Sequence, residues 1–184
     1  MKIKVLDPLI ASKIAAGEVI ERPSSVIKEL VENSIDANSK TIEIEIINGG
    51  MDLIKITDDG NGISKEDLPL AIERHATSKI TNIDDLTRLT SMGFRGEALA
   101  SIAAVSQMEL SSKSPQSIAG SNIQIENSMI LNENPISMVN GTSIMVSNLF
   151  YNLPARKKFM STQKSESNRI VRLINHFCVT HPEI

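Results

Sequence analysis

With 184 residues, 41% of them hydrophobic and 22% charged, the chain has room for one well-filled core and at most a piece of a second. A formal net charge of −3 excludes a protein that coats nucleic acid through bulk positive charge, though not a local basic patch. No apolar run approaches the length of a membrane span, and the single cysteine, Cys178, cannot form an internal disulfide. A reducing compartment fits, and an N-terminus without a signal-peptide hydrophobic region points to the cytoplasm. With no Trp and one Tyr, the core must rest on Ile, Leu, Val, Ala and Met.

Lys2 to Leu6 alternates and reads as an edge strand or an arm. Asp7-Pro8 opens a helix expected to stop near Gly17. Pro23 to Ala37 is the strongest helix: Pro23 suits a first helical position, and Val26, Ile27, Leu30, Val31 and Ile35 recur at 3–4 spacing as one apolar arc. Glu29, Asn33 and Asp36 fall together on another side, either a solvated face or an acid and an amide placed one turn apart for one ligand. Thr41 to Ile47 alternates Ile with Glu, Asn48-Gly49-Gly50 is a turn, and Leu53 to Thr57 answers it, which predicts a β-hairpin.

Ser64 with Asp67 resembles an N-terminal cap for a short helix through Ile72. His75 to Lys79 and Ser91 to Gly96 read as loop. A short helix from Asn82 to Leu89 lies between them, and an Ala-rich helix runs from Glu97 to Val105. Strand-like runs follow at Gln107–Ser112, Ser121–Glu126, Ile136–Val139 and Thr142–Ser147, with a turn at Asn132 to Pro135. Leu149 to Lys158 is irregular and basic, and Thr162 to Phe177 is a final helix. Cys178, between Phe177 and Val179, reads as a small apolar filler rather than a reactive thiol. Helices first, then a mostly antiparallel set of strands, predict an α+β two-layer sandwich in a single unit over residues 1–184.

The chemistry-bearing stretches lie outside the regular periods. No Gly-x-x-x-x-Gly-Lys-Ser/Thr phosphate loop is present, which excludes the commonest NTPase architecture. Asp58-Asp-Gly-Asn-Gly62 follows a strand. It is either an acidic β-turn or an acid that accepts from an exocyclic amine beside two glycines, Gly60 and Gly62, that let backbone approach a ligand. Met92 to Ala98 brings a glycine-rich loop to a helix N-terminus, where unpaired N–H groups suit phosphate. Thr77, Ser78 and Lys79 offer hydroxyls and an ammonium. His75 has no triad or metal partner nearby in sequence and reads as structural. Arg156-Lys-Lys158 is a solvated basic turn or a contact to DNA phosphates. Thr142 is a strand residue or a hydroxyl beside a bound base.

Taken in order, Glu29-x-x-x-Asn33, Asp58-x-Gly60-x-Gly62, Gly93-x-x-Gly96 before a helix and Gly141-Thr142 resemble the motif series of the GHKL (Bergerat-fold) ATPases. The wording of Ile14–Pro23, Lys28–Ala37, Arg74–Lys79, Gly93–Ser101 and Leu149–Arg156 is similar to that of the MutL family of DNA mismatch repair proteins. The likeness runs from Val5 to about Phe177.

The resemblance implies a two-layer α/β sandwich of the Bergerat type with a mostly antiparallel mixed sheet, and a magnesium-dependent ATPase acting as a nucleotide-driven switch. By similarity, Glu29 is the general base and Asn33 the magnesium ligand and a nucleotide contact. Asp58 reads the adenine amino group, Gly60 and Gly62 shape the base pocket, and Thr142 supports adenine and a bridging water. Thr77, Ser78 and Lys79 belong to a lid, and Gly93, Phe94, Arg95, Gly96, Ala98 and Leu99 hold phosphates. Implied partners are ATP, a second copy in an ATP-dependent homodimer, a mismatch-recognition protein of the MutS type, a downstream nuclease or helicase, and DNA bound weakly and without sequence preference. Family members carry a second α/β domain with a lysine that reaches the γ-phosphate, then a dimerisation domain. The chain therefore reads as an excised N-terminal ATPase domain that binds ATP with weak or absent turnover. One departure is Asp59, where the family commonly has Asn. A nucleotide sensor without hydrolysis is the alternative, and Glu29 argues against it.

Overall fold

The computed structural model describes residues 8–76 and 96–184, with side chains from residue 14 onward. Six strands form one sheet: β1 (Ile42–Ile47), β2 (Leu53–Asp58), β3 (Gln107–Lys113), β4 (Gly120–Glu126), β5 (Met129–Ile136) and β6 (Gly141–Ser147), in the order β1-β2-β6-β3-β4-β5. Every pairing described is antiparallel. The helices are α1 (Pro8–Val19), α2 (Pro23–Asp36), α3 (Ala98–Val105), α4 (Pro154–Lys158) and α5 (Gln163–Thr180). None of the described helices is long and apolar enough to cross a membrane.

Strand side chains alternate between faces, so antiparallel register carries one face from strand to strand in rows. The first row on the core face is Ile46, Ile54, Val146, Met108 and Ile125, and the second is Ile44, Ile56, Ile144, Leu110 and Ile123. Val26, Ile27, Leu30 and Val31 of α2, Ile102 to Val105 of α3, and Ile170 of α5 close onto these rows as one cluster. Each fully buried Ile or Leu contributes about 1.5–3 kcal/mol relative to exposure, so this layer dominates the stability of the fold. The opposite face is polar, with Lys55 paired to Glu45 at 2.9 Å and Thr57 to Ser143 at 3.0 Å.

Several expectations need correction. α1 continues past Gly17 to Val19; the glycine instead makes room for the Arg156 guanidinium, which donates to the Gly17 carbonyl. Ser64 does cap, its hydroxyl accepting from the Asp67 N–H at 3.2 Å. The helix it starts is only turns and a single 3-10 turn at Leu70–Ile72, because Pro69 has no N–H to continue the ladder.

The turn expected at Asn132 to Pro135 is the body of β5, and the strand expected at Ile136–Val139 ends at Ile136. The turn sits earlier, at Asn127 and Ser128, both with positive φ, as a two-residue hairpin link demands. Pro135 is tolerated because β5 is an edge strand that needs no donor on its outer side. Cys178 is exposed on α5 rather than filling the core, since Leu173, Ile174 and Phe177 supply that helix's packed stripe. The arm at residues 2–6 and the helix from Asn82 to Leu89 lie outside the described residues.

Candidate nucleotide site

The core face has a third row, and it is polar. Register places Asp58, Thr142, Ser112 and Ser121 side by side across β2, β6, β3 and β4, next to Ile42 of β1. Thr142, Ser112 and Ser121 are buried, and Asp58 is half-buried at the end of its strand. At each of these positions the alternation calls for an apolar residue and meets a carboxylate or a hydroxyl. Buried polar groups of this kind persist where they are hydrogen-bonded or serve a ligand.

Both oxygens of Asp58 are held. Ser34 Oγ donates to Oδ2 at 2.8 Å, and the Gly60 N–H donates to Oδ1 at 3.0 Å. Ser34 is the buried residue of the last turn of α2, directly after Asn33, and its hydroxyl also lies 3.1 Å from the Leu30 carbonyl. The helix and the strand end are therefore joined through one hydroxyl. A carboxylate has about four acceptor positions, so two bonds leave room for a further donor. The turn after β2 is tied down from both sides. Asn61 N–H donates to the Ala37 carbonyl at 2.9 Å, and Ile63 N–H donates to Ser112 Oγ at 2.8 Å. Asp59 Oδ1 accepts the N–H groups of Lys40 at 2.7 Å and Thr41 at 2.9 Å. Those backbone bonds, Thr41 first and then Lys40, hold its carboxyl below the usual carboxylate range.

The two glycines of this turn are packed tightly against the protein itself. A Cβ on Gly60 would lie 2.6 Å from Ser39 Oγ and 2.8 Å from the Ala37 carbonyl oxygen. At Gly62, with φ of +64°, it would strike the Lys113 carbonyl. The close approach is of the turn to α2's end and to β3. It braces the loop that carries Asp58.

Glu29 and Asn33 lie one turn apart on α2, both half-buried. Lys28 Nζ sits 3.5 Å from Glu29 and 2.8 Å from Glu32. Partial burial works against its charge, but the bond to Glu32 and the negative charge of Glu29 raise its pKa. Glu29 and Asn33 offer the hard oxygen ligands that suit magnesium. No cluster of three or more His, Cys, Asp or Glu forms an alternative cage among the described residues. An ion taking most of its ligands from phosphates and water needs only one or two such side chains, so these residues fit it.

Gly96, Ala98 and Leu99 stand at and just inside the start of α3, whose first turn leaves N–H groups without intrahelical partners. The Gly96 carbonyl accepts the His75 N–H at 3.1 Å, and His75 Nδ1 lies 3.2 Å from Glu97; His75 is thus a structural residue at the surface. Thr77, Ser78, Lys79, Gly93, Phe94 and Arg95 lie outside the described residues.

Arg156 is committed to α1 rather than to a solvated basic turn, while Lys157 and Lys158 are exposed. A separate cleft of about 420 Å³ is lined by Glu21, Arg22, Ala155, Arg156, Phe159 and Met160, none of them in the polar row. Sequence reasoning missed Ser34 and Ser112. The signal was present: each is a polar residue at a position where the helix stripe or the strand alternation demands an apolar one.

Comparison with known proteins shows the family and agrees with the fold. Residues 20–152 match the model of the family described as histidine kinase-, DNA gyrase B- and HSP90-like ATPase. The whole chain is 50% identical to the DNA mismatch repair protein MutL of Clostridium tetani and 52% identical to that of Streptococcus uberis. It spans 30% and 28% of those proteins' lengths. The Aquifex aeolicus MutL ATPase domain complexed with ADP superposes with a TM-score of 0.72 at 35% identity, over 90% of this chain and 58% of that one.

Proposed function

The chain belongs to the histidine kinase-, DNA gyrase B- and HSP90-like ATPase family, and from that premise we propose that it binds and hydrolyses ATP as the switch of a MutL-type mismatch repair protein. The observation that carries the reading is the bond from Ser34 to Asp58. It couples the helix bearing Glu29 and Asn33 to the one carboxylate of the polar row, so that base recognition and phosphate chemistry are built on one rigid element.

Asp58 accepts from the adenine amine, and Thr142 stands beside it across the β2–β6 pair. Asn33 would hold magnesium through its amide oxygen, with Glu29 one turn away, and the ion would supply charge neutralisation on the phosphates. Glu29 takes a proton from the attacking water as the water oxygen bonds to the γ-phosphorus and the bridging oxygen leaves with ADP. Backbone N–H groups at Gly96, Ala98 and Leu99 face the phosphates. Thr77, Ser78 and Lys79 take the lid role and Gly93, Phe94 and Arg95 the phosphate contacts that the resemblance implies, with nucleotide ordering the lid. In the longer protein this ordering favours dimerisation and recruitment of repair partners, the mismatch-recognition protein among them, and hydrolysis resets it. The 184 residues act as an ATPase domain whose turnover by itself is weak.

Glu29→Ala tests the reading. Expected in the longer protein is ATP binding, measured by calorimetry with magnesium, within about threefold of the parent, and single-turnover hydrolysis lower by at least about a hundredfold, the lower end of what a general base contributes. Hydrolysis that survives the substitution would remove Glu29 as the base and leave a nucleotide sensor.

A further inference from the structure

α3 has only 8 residues, and a helix that short depends on groups outside it for most of the bonds at its ends. Its first-turn N–H groups are the ones placed at the phosphates above. At the other end, the last four carbonyls all have partners. Ile102 accepts from Ser106 Oγ at 2.7 Å, Ala103 from the Ser128 N–H at 3.3 Å, Ala104 from Asn152 Nδ2 at 2.9 Å and Val105 from the Phe150 N–H at 2.7 Å. Only Ser106 is local; the other three partners come from the β4–β5 turn and from the segment after β6. In that segment Phe150 is fully buried with φ of +61°, a left-handed conformation that aromatic residues rarely adopt. Backbone strain of this kind persists where the surroundings over-determine it, and here it aims the Phe150 N–H at Val105. The Ala104 carbonyl can only accept, so the nitrogen of the Asn152 amide faces it. The same nitrogen also donates to Asn127 Oδ1 at 3.3 Å, in the β4–β5 turn.

We infer that Asn152 is a positioning residue for the phosphate end of the site: by holding the last turn of α3 it sets where the helix lies along its axis, and so where the N–H groups of Ala98 and Leu99 stand. The inference rests on the phosphate placement proposed above. Burial alone does not set that position. The buried residues of α3 are Ala100, Ser101, Ile102, Ala103, Ala104 and Val105, mostly alanine and serine. Hydrophobic burial is non-directional, and side chains this small raise low ridges that grip a neighbour weakly against sliding. Hydrogen bonds at the helix end are directional and resist it. The helix is about two turns long, so a shift of its last turn is carried to its first. Asn152 is not part of the polar row and acts only through α3.

Dissociation constants of ATP with magnesium and of adenosine are measured by calorimetry for the parent protein, Asn152→Ala and Ser106→Ala. Both variants take a side-chain donor from a carbonyl of the last turn of α3, but only Asn152 joins that turn to a distant segment. The adenosine-to-ATP ratio of dissociation constants is expected to fall by about tenfold in Asn152→Ala, a difference of about 1.4 kcal/mol, and to stay at the parent value in Ser106→Ala. A merely structural defect weakens both ligands in parallel and leaves the ratio unchanged, which overturns the inference, as does an equal fall in Ser106→Ala. If Asn152→Ala does not fold, Asn127→Gly decides. Glycine suits the left-handed turn at that position, and the change removes only the oxygen that accepts from the Asn152 amide there. The ratio is then expected to fall by about threefold, and an unchanged ratio overturns the inference. A parent that binds ATP no more tightly than adenosine overturns the phosphate placement, and the inference with it.

Discussion

At the scale of single residues, the site is a set of local breaks in periodicity. Asp58, Thr142 and Ser112 occupy inward positions of strands whose other inward positions are Ile, Leu, Val or Met, and Ser34 stands on the buried side of α2 below Leu30. Each is kept because its hydrogen bonds are made. Ser34→Ala removes a bond to a carboxylate, an interaction of about 1.5 kcal/mol or more. ATP affinity is expected to fall about tenfold, and the melting temperature by a few degrees, because the better helix propensity of alanine, about 0.5 kcal/mol, offsets only part of the lost bond; titration calorimetry and thermal unfolding on the same preparation read the two effects.

Asp59 gives a pH signature. Its folded carboxyl is held below its ordinary value by the Thr41 and Lys40 N–H groups. The stabilisation is therefore fully present above the unfolded-state pKa and is lost as pH falls through the depressed folded value. Asp59→Asn retains an acceptor oxygen but does not titrate. The stability gap between parent and variant is expected to shrink as pH drops from about 5 to about 3, read from urea midpoints.

At the scale of elements, α2 has one side that fills the core and another that carries Glu29 and Asn33. Pro23 begins the helix and its apolar arc fixes its rotation about its axis, and that rotation also aims the polar side. The sheet uses its edges differently. β5 is solvent-exposed along nearly its whole length, with a register shift between Gln124 and Ile125 and a proline near its end. These features blunt an edge that would otherwise offer unpaired backbone. At α5 the Thr162 side chain accepts from the Ser165 N–H at 3.3 Å. Thr162→Ala is expected to lower stability by about 1 kcal/mol without altering nucleotide affinity, a difference visible in chemical denaturation.

At the scale of the whole molecule, stability and chemistry are layered on the same frame. The two apolar rows and the helices above them form one cluster, and the polar row lies at its margin. Neighbouring residues of one helix should therefore fail in different ways. Leu30 is 1% exposed, and Leu30→Ala is expected to cost about 2–5 kcal/mol. The melting temperature should fall by about 2–4 °C for each kcal/mol in a chain of this size. Glu29→Ala, one residue earlier, is expected to leave the melting temperature nearly unchanged. Differential scanning calorimetry on the pair checks whether core and site are separable.

Much is legible in the sequence alone: α2 to within one residue, the β1–β2 hairpin, β3, β4 and β6, the α+β class, and the placement of Glu29 and Asn33 one turn apart on a single helix. Amphipathic period, turn residues and short motifs are local properties, and local physics decides them. Where the sequence reading failed, the deciding partner was distant in the chain. Gly17 looks like a helix end until Arg156 is brought against it, and Asn132 to Pro135 looks like a turn until β4 offers a strand to pair with. Ser34 and Ser112 look like ordinary small residues until Asp58 and Thr142 arrive beside them. A hydrogen-bond donor cannot be assigned to an acceptor from sequence spacing when 24 or 30 residues separate them. Only the register of an assembled sheet does that, and it is the register that turns four polar residues on four strands into one row.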